Sequence, residues 1–125
     1  MIMRKPNFQL EDQYSQQGSC CYYCKEKVPF EFITRDHFNP VSKGNTLVNN
    51  KVFACRKCNS IKGDNNIVEF HETIRFRIKK SLHRFSIKNY DISQDDIRKL
   101  NRYRKIYNTI REIQSNDNKP SLIFT

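Results

Sequence analysis

The chain has 125 residues, a formal net charge of +10, 37% hydrophobic residues and no Trp, which sets one domain, or a small motif with a helical extension, and excludes a large apolar core. No stretch is apolar enough to span a bilayer, and Met1-Ile2-Met3-Arg4-Lys5 lacks the apolar run of a signal peptide, so the expectation is a reducing, cytoplasmic setting without a membrane. Five cysteines are present, and in that setting paired cysteines favour a metal staple over disulfides.

In chain order, residues 1–9 carry little pattern and are expected to be frayed or loosely docked. Leu10 to Gln17 reads as two helical turns, with Gly18 in the left-handed closing position. Cys21-Tyr22-Tyr23-Cys24 follows, and Cys55-Arg56-Lys57-Cys58 repeats the spacing thirty-one residues after Cys24. Two thiolates two residues apart can hold one tetrahedral ion from a tight turn, so two such pairs predict a structural Zn²⁺ on Cys21, Cys24, Cys55 and Cys58. Cys20 is the odd thiol, and it leaves open whether Cys20 or Cys21 is the ligand.

Between the pairs, Val28 to Thr34 reads as a strand with Pro29 at its entry, delivering Asp36 and His37 at its far end. Pro40, Ser42, Gly44 and Asn45 make a loop. Lys51-Val52-Phe53-Ala54 is the return strand, and after Cys58 the chain becomes helical by about Asn66. Ile67, Phe70, Ile74, Ile78, Leu82 and Phe85 then mark one face of a helix, with Arg75, Lys79 and Lys80 off the stripe. Ser93, with Asp96 three residues on, starts a second helix whose apolar side runs through Ile97, Leu100, Tyr103, Tyr107, Ile110 and Ile113. Both stripes read as core packing. Asn116 to Pro120 ends that helix, and the last five residues pack as a strand or stay loose.

The charge is uneven: residues 71–112 hold 12 Lys and Arg against 5 Asp and Glu. Polyanions are the natural counterpart, because neutralising phosphates releases condensed counterions. An anionic membrane surface is the rival partner, and a solvated face is the plain alternative.

The run Thr34-Arg35-Asp36-His37-Phe38-Asn39-Pro40-Val41-Ser42-Lys43-Gly44, the later run from Cys55 to Asp64 and the first cysteine pair together resemble the HNH endonuclease family over roughly residues 8–71. The resemblance implies an α+β fold. Its core, residues 8–71, would be a small ββα-metal (treble-clef-like) unit stapled by zinc, with a basic helical extension, 72–125, packed on it. It also implies metal-dependent hydrolysis of phosphodiester bonds in DNA with 5′-phosphate products, and a bacterial or phage origin. The expected partner is nucleic acid, double-stranded DNA first, with the protein a monomer or a homodimer.

Such chemistry needs an activated water, charge stabilisation on phosphate and help for the departing oxygen. His37 is the natural base, since an unperturbed imidazole titrates near ~6.5. On an extended segment Asp36 and His37 point to opposite sides; the resemblance implies that Asp36 takes a catalytic ion and His37 takes the water. Asn50 matches the residue that orients the base, with Asn49 beside it as the alternative, although Asn50-Lys51 departs from the usual Asn-Leu. Asn59 matches the second ligand position; a neutral, hard amide oxygen suits Mg²⁺ or Mn²⁺, and capping a helix would be compatible with that role. Lys62 is read either as a point charge on a phosphate or as a solvated surface lysine. Lys43, Arg56, Lys57, Arg75, Lys79 and Lys80 are the expected contacts to the nucleic-acid backbone; His71 and His83 read as surface or groove residues. A different class of function, a non-catalytic zinc-knuckle module binding DNA or RNA, explains the cysteines and the charge but gives Asp36 and His37 no task.

Overall fold

A computed structural model of the chain describes residues 8–39, 51–87 and 89–116. The expectations for the two termini and for the 40–50 loop lie outside these residues, and with them Lys43, Asn49 and Asn50. Helix α1 (Phe8–Gln16) leads to the first cysteine pair, a 3₁₀ turn (Phe30–Phe32) and strand β1 (Thr34–His37). Strand β2 (Lys51–Ala54) and helix α2 (Arg56–Lys62) carry the second pair, and the long helices α3 (Ile67–Ser86) and α4 (Gln94–Asn116) complete the chain. This is an α+β arrangement of helices around a two-stranded antiparallel sheet. Thr34 pairs with Ala54, and His37 with Lys51. Among the described residues no helix is long and apolar enough to cross a membrane.

Strand β2 is buried on both faces. Its alternation sends Val52 and Ala54 into the main core with Cys21, Tyr23, Phe70, Ile74, Ile106 and Ile110, and Phe53 to the other side against Tyr14. The open edge of β2 is closed without a third strand: Gln17 accepts from Phe53 N at 3.2 Å and donates to Phe53 O at 2.8 Å. α1 ends where expected, with Gly18 at φ +99°.

Three local expectations change. The strand read at Val28–Thr34 is a 3₁₀ turn, because Phe30 turns in onto Tyr14 and Phe53, while Phe32 stays 67% exposed; the paired segment starts only at Thr34. Helix begins not near Asn66 but at Arg56, since the Cys55 sulfur caps α2 by accepting from Cys58 N. Gly63, at φ +52°, then ends that helix, and Asn66 starts α3 with a reciprocal capping box to Glu69. The apolar stripe of α3 is buried only over its first half, at Ile67, Phe70 and Ile74; Leu82 is exposed. α4 opens on the expected Ser93–Asp96 box, with both bonds at 3.1 Å. Its buried stripe is Leu100, Tyr103, Ile106 and Ile110, with Ile97 outside. α3 runs without a break through residues 71 and 72.

Candidate active site and metal centre

Cys21, Cys24, Cys55 and Cys58 are buried, and their sulfurs lie within 4.8 Å of one another. The Cys24 and Cys55 sulfurs are 3.8 Å apart, close to the ~3.8 Å edge of a tetrahedron with metal–sulfur bonds of about 2.3 Å. Each pair closes a tight turn in which the second backbone N–H faces the first sulfur, at 3.5 Å for Cys24 to Cys21 and 3.4 Å for Cys58 to Cys55. These four thiols cannot all ionise alone. Their mutual hydrogen bonds raise Cys21 and Cys58 and lower Cys24 and Cys55. A divalent ion would hold all four as thiolates. The donor set is thus a soft four-sulfur one, and it fits zinc. Cys20 stands apart, half-buried, with its thiol toward Gln17 O at 3.8 Å, so the described cluster contains Cys21 and not Cys20.

The zinc knuckles reach the Asp36–His37 strand through side chains that the cysteine spacing does not announce. Tyr23, inside the first knuckle and fully buried, donates its hydroxyl to Asp36 Oδ2 at 2.7 Å. Burial, then the Asp36 charge, push this phenol well above its ordinary pKa, so it remains a donor. Lys62, four residues after Cys58, lies 3.2 Å from the same oxygen and donates to the His37 carbonyl at 2.7 Å. Asp36 is 4% exposed and Lys62 1%. Burial raises the Asp36 pKa, while Lys62 and Tyr23 pull against it. The reading of Lys62 as a solvated surface lysine is therefore corrected: its ammonium is buried and held by β1.

Thr34 and Asp36 alternate onto the face of β1 that meets α2, and Asn59 and Lys62 sit one turn apart on α2. Two rungs result. Lys62 meets Asp36, and Asn59 Nδ2 donates to Thr34 Oγ1 at 3.0 Å. The Thr34 hydroxyl spends its proton on Ala54 O at 2.6 Å, so it can only accept from Asn59. That fixes the amide, with its nitrogen on Thr34 and its Oδ1 left as the acceptor. One carboxylate and one amide oxygen are hard donors of the kind Mg²⁺ or Mn²⁺ takes, though the Lys62 ammonium shares the carboxylate.

His37 is half-buried at the end of β1. Its Nε2 is shielded from solvent and has no hydrogen-bond partner among the described residues. His71, on α3, also has a buried, unpaired Nε2 and stacks on Tyr107 with ring centres 4.9 Å apart; His83 is exposed.

Among the described residues, the basic ones singled out from the sequence stand at several places. Arg56 and Lys57 are exposed on the first turn of α2. Arg75 and Lys79 line a groove of about 420 Å³ with Arg104 and Tyr107, whereas Lys80 lines another, of about 460 Å³, with Arg77, Arg84 and Lys99. Tyr23, Thr34 and Arg102 are the residues the sequence reading missed. Tyr23 stands in the middle of a knuckle and Thr34 leads into Asp36-His37, but nothing in their spacing marks either as a partner of that pair.

A search of curated proteins found no match to the chain. The family model described as HNH endonuclease matches residues 21–73, a span that contains both cysteine pairs, Asp36, His37, Asn59 and Lys62. Residues 21–73, with the four-cysteine cluster that could hold zinc, are accordingly similar to the HNH endonuclease family.

Proposed function

We propose that the chain is a metal-dependent endonuclease that hydrolyses phosphodiester bonds of DNA and leaves 5′ phosphates. The observation that carries this reading is the sheltered Nε2 of His37, unpaired among the described residues, on a strand end whose carbonyl is held by the buried Lys62. A neutral imidazole nitrogen in that state can take the proton of a water. The water oxygen then attacks phosphorus, the bond to the 3′ oxygen breaks, and that oxygen leaves with a proton from solvent. Asn50 orients the His37 ring. Asp36 and Asn59 would hold a Mg²⁺ or Mn²⁺ ion, which supplies charge stabilisation at the phosphate. Residues 8–71 act as the nuclease core and 72–125 as its basic extension, with Lys43, Arg56, Lys57, Arg75, Lys79 and Lys80 on the backbone of double-stranded DNA. The setting we infer is the cytoplasm of a bacterium, or of a phage-infected one, with the protein acting as a monomer or homodimer.

One observation favours a second reading, a non-catalytic zinc module that binds DNA or RNA: the Asp36 carboxylate is already engaged by Tyr23 and Lys62. Incubating zinc-loaded protein with labelled duplex DNA, single-stranded DNA and RNA over a Mg²⁺ and Mn²⁺ series separates the two. Divalent-dependent shortening of duplex DNA is expected. Retention of label on the protein without any shortened product would leave only the binder.

A further inference from the structure

The helix α4 faces the first zinc knuckle with cations. Arg98, Arg102 and Lys105 lie at successive turns of one side of that helix and line a cavity of about 290 Å³ together with Cys24 and Glu26. Arg102 is the innermost of the three in its contacts: one guanidinium nitrogen, Nη2, meets Glu26 Oε2 at 2.8 Å, and the Nε atom is buried with no hydrogen-bond partner among the described residues. An orphaned donor on a buried part of a guanidinium is costly unless something accepts from it. Cys24 lines the same cavity. A zinc ion with four thiolates carries a net charge of about −2, and each sulfur accepts further N–H donors. Nearby on the same helix, Thr109 donates to the Tyr23 carbonyl at 2.8 Å, and Ile106 and Ile110 pack in one core with Cys21 and Cys24.

We propose that Arg102 is a positioning residue of the zinc centre: its Nε–H donates to the metal-bound Cys24 thiolate and its charge offsets the anionic cluster, so that α4 is part of the metal site. The ion pair to Glu26 steadies the guanidinium from outside. Glu26 is half-exposed, and an ion pair of that kind contributes little by itself. The zinc centre and the docking of α4, whose Arg102 lies 78 residues after Cys24, then form one unit, whatever reaction the domain performs.

The test uses full-length, zinc-loaded protein and reads zinc transfer to an excess of a chromogenic chelator. Arg102→Ala and Arg102→Gln, which keeps much of the stem, are compared with Glu26→Gln. Losing a hydrogen-bond partner of a metal ligand weakens binding about 10–100-fold, so both Arg102 variants should release zinc at least about tenfold faster, and Glu26→Gln less than about fivefold faster. In Co²⁺-substituted protein the thiolate-to-cobalt charge-transfer band should shift in the Arg102 variants and stay in place in Glu26→Gln. Release within about twofold of wild type in both Arg102 variants would overturn the proposal. So would equal acceleration by Glu26→Gln, which would make Arg102 only a partner of Glu26.

Discussion

Replacing Lys62 by Met removes an ammonium whose side chain is 0% exposed and which stands 3.2 Å from an Asp36 carboxylate that is 4% exposed. It also removes the 2.7 Å bond to the His37 carbonyl. Methionine fills much the same volume, so little of the effect should come from a cavity. What is left is a buried carboxylate with Tyr23 as its remaining named donor. Breaking a buried pair from one side costs about 3–5 kcal/mol, which for a domain of this size lowers the melting temperature on the order of 10–20 °C. The pH dependence follows from Asp36, whose pKa burial already raises and Lys62 restrains. Without Lys62 it rises further above the unfolded value of ~3.9. The folded variant then binds a proton that the unfolded chain does not, so its stability increases as pH falls through the raised value toward ~3.9. Urea and thermal unfolding of zinc-loaded proteins, read by circular dichroism between pH 7 and 5.5, should show the variant-minus-wild-type gap shrinking with acid. Zinc content measured alongside at each pH separates this trend from metal loss. The double variant Asp36→Asn/Lys62→Met should lose less than the sum of the single variants. A Lys62→Met loss under about 1 kcal/mol at pH 7, or strict additivity, would refute the buried-pair argument.

Three further outcomes are expected. Tyr23→Phe removes one hydrogen bond to the same carboxylate and should cost about 1.5–3 kcal/mol in urea unfolding, less than Lys62→Met. Asn66→Ala opens the capping box of α3 and should cost about 1 kcal/mol, with no change in zinc stoichiometry. Stripping zinc with a strong chelator should abolish the cooperative unfolding transition, since a small metal-stapled core has little else to hold the knuckles; a transition of undiminished size would contradict that.

The parts of this fold that could be read from sequence are those fixed by local spacing. Two Cys-x-x-Cys pairs set the metal cluster, Lys51–Ala54 is the return strand residue for residue, and Ser93 with Asp96 opens α4. Helix α2 was hidden because Arg56–Lys62 has no apolar stripe and is capped by a metal-site sulfur rather than by an ordinary capping residue. The strand expected at Val28–Thr34 failed for the opposite reason: its alternating aromatics look like a sheet face, but Phe30 serves the small α1 core and Phe32 serves none. In a chain with 23 Lys and Arg, spacing does not mark Lys62 or Arg102 as charges held inside the fold. Only the packing of α2 on β1 gives Lys62 its buried partner Asp36, and only the placing of α4 brings Arg102 to Glu26. Ile106 and Thr109 were missed because the α4 stripe was drawn through Tyr107, and the helix is rotated slightly from that line.

The most direct measurement is single-turnover cleavage of a labelled duplex by zinc-loaded wild-type protein and by His37→Ala, in Mg²⁺ and in Mn²⁺. The account predicts a divalent-dependent rate for the wild type, products ending in 5′ phosphate, and a fall of at least about 100-fold in the variant. Equal rates in the two proteins would remove His37 from the chemistry and contradict the account.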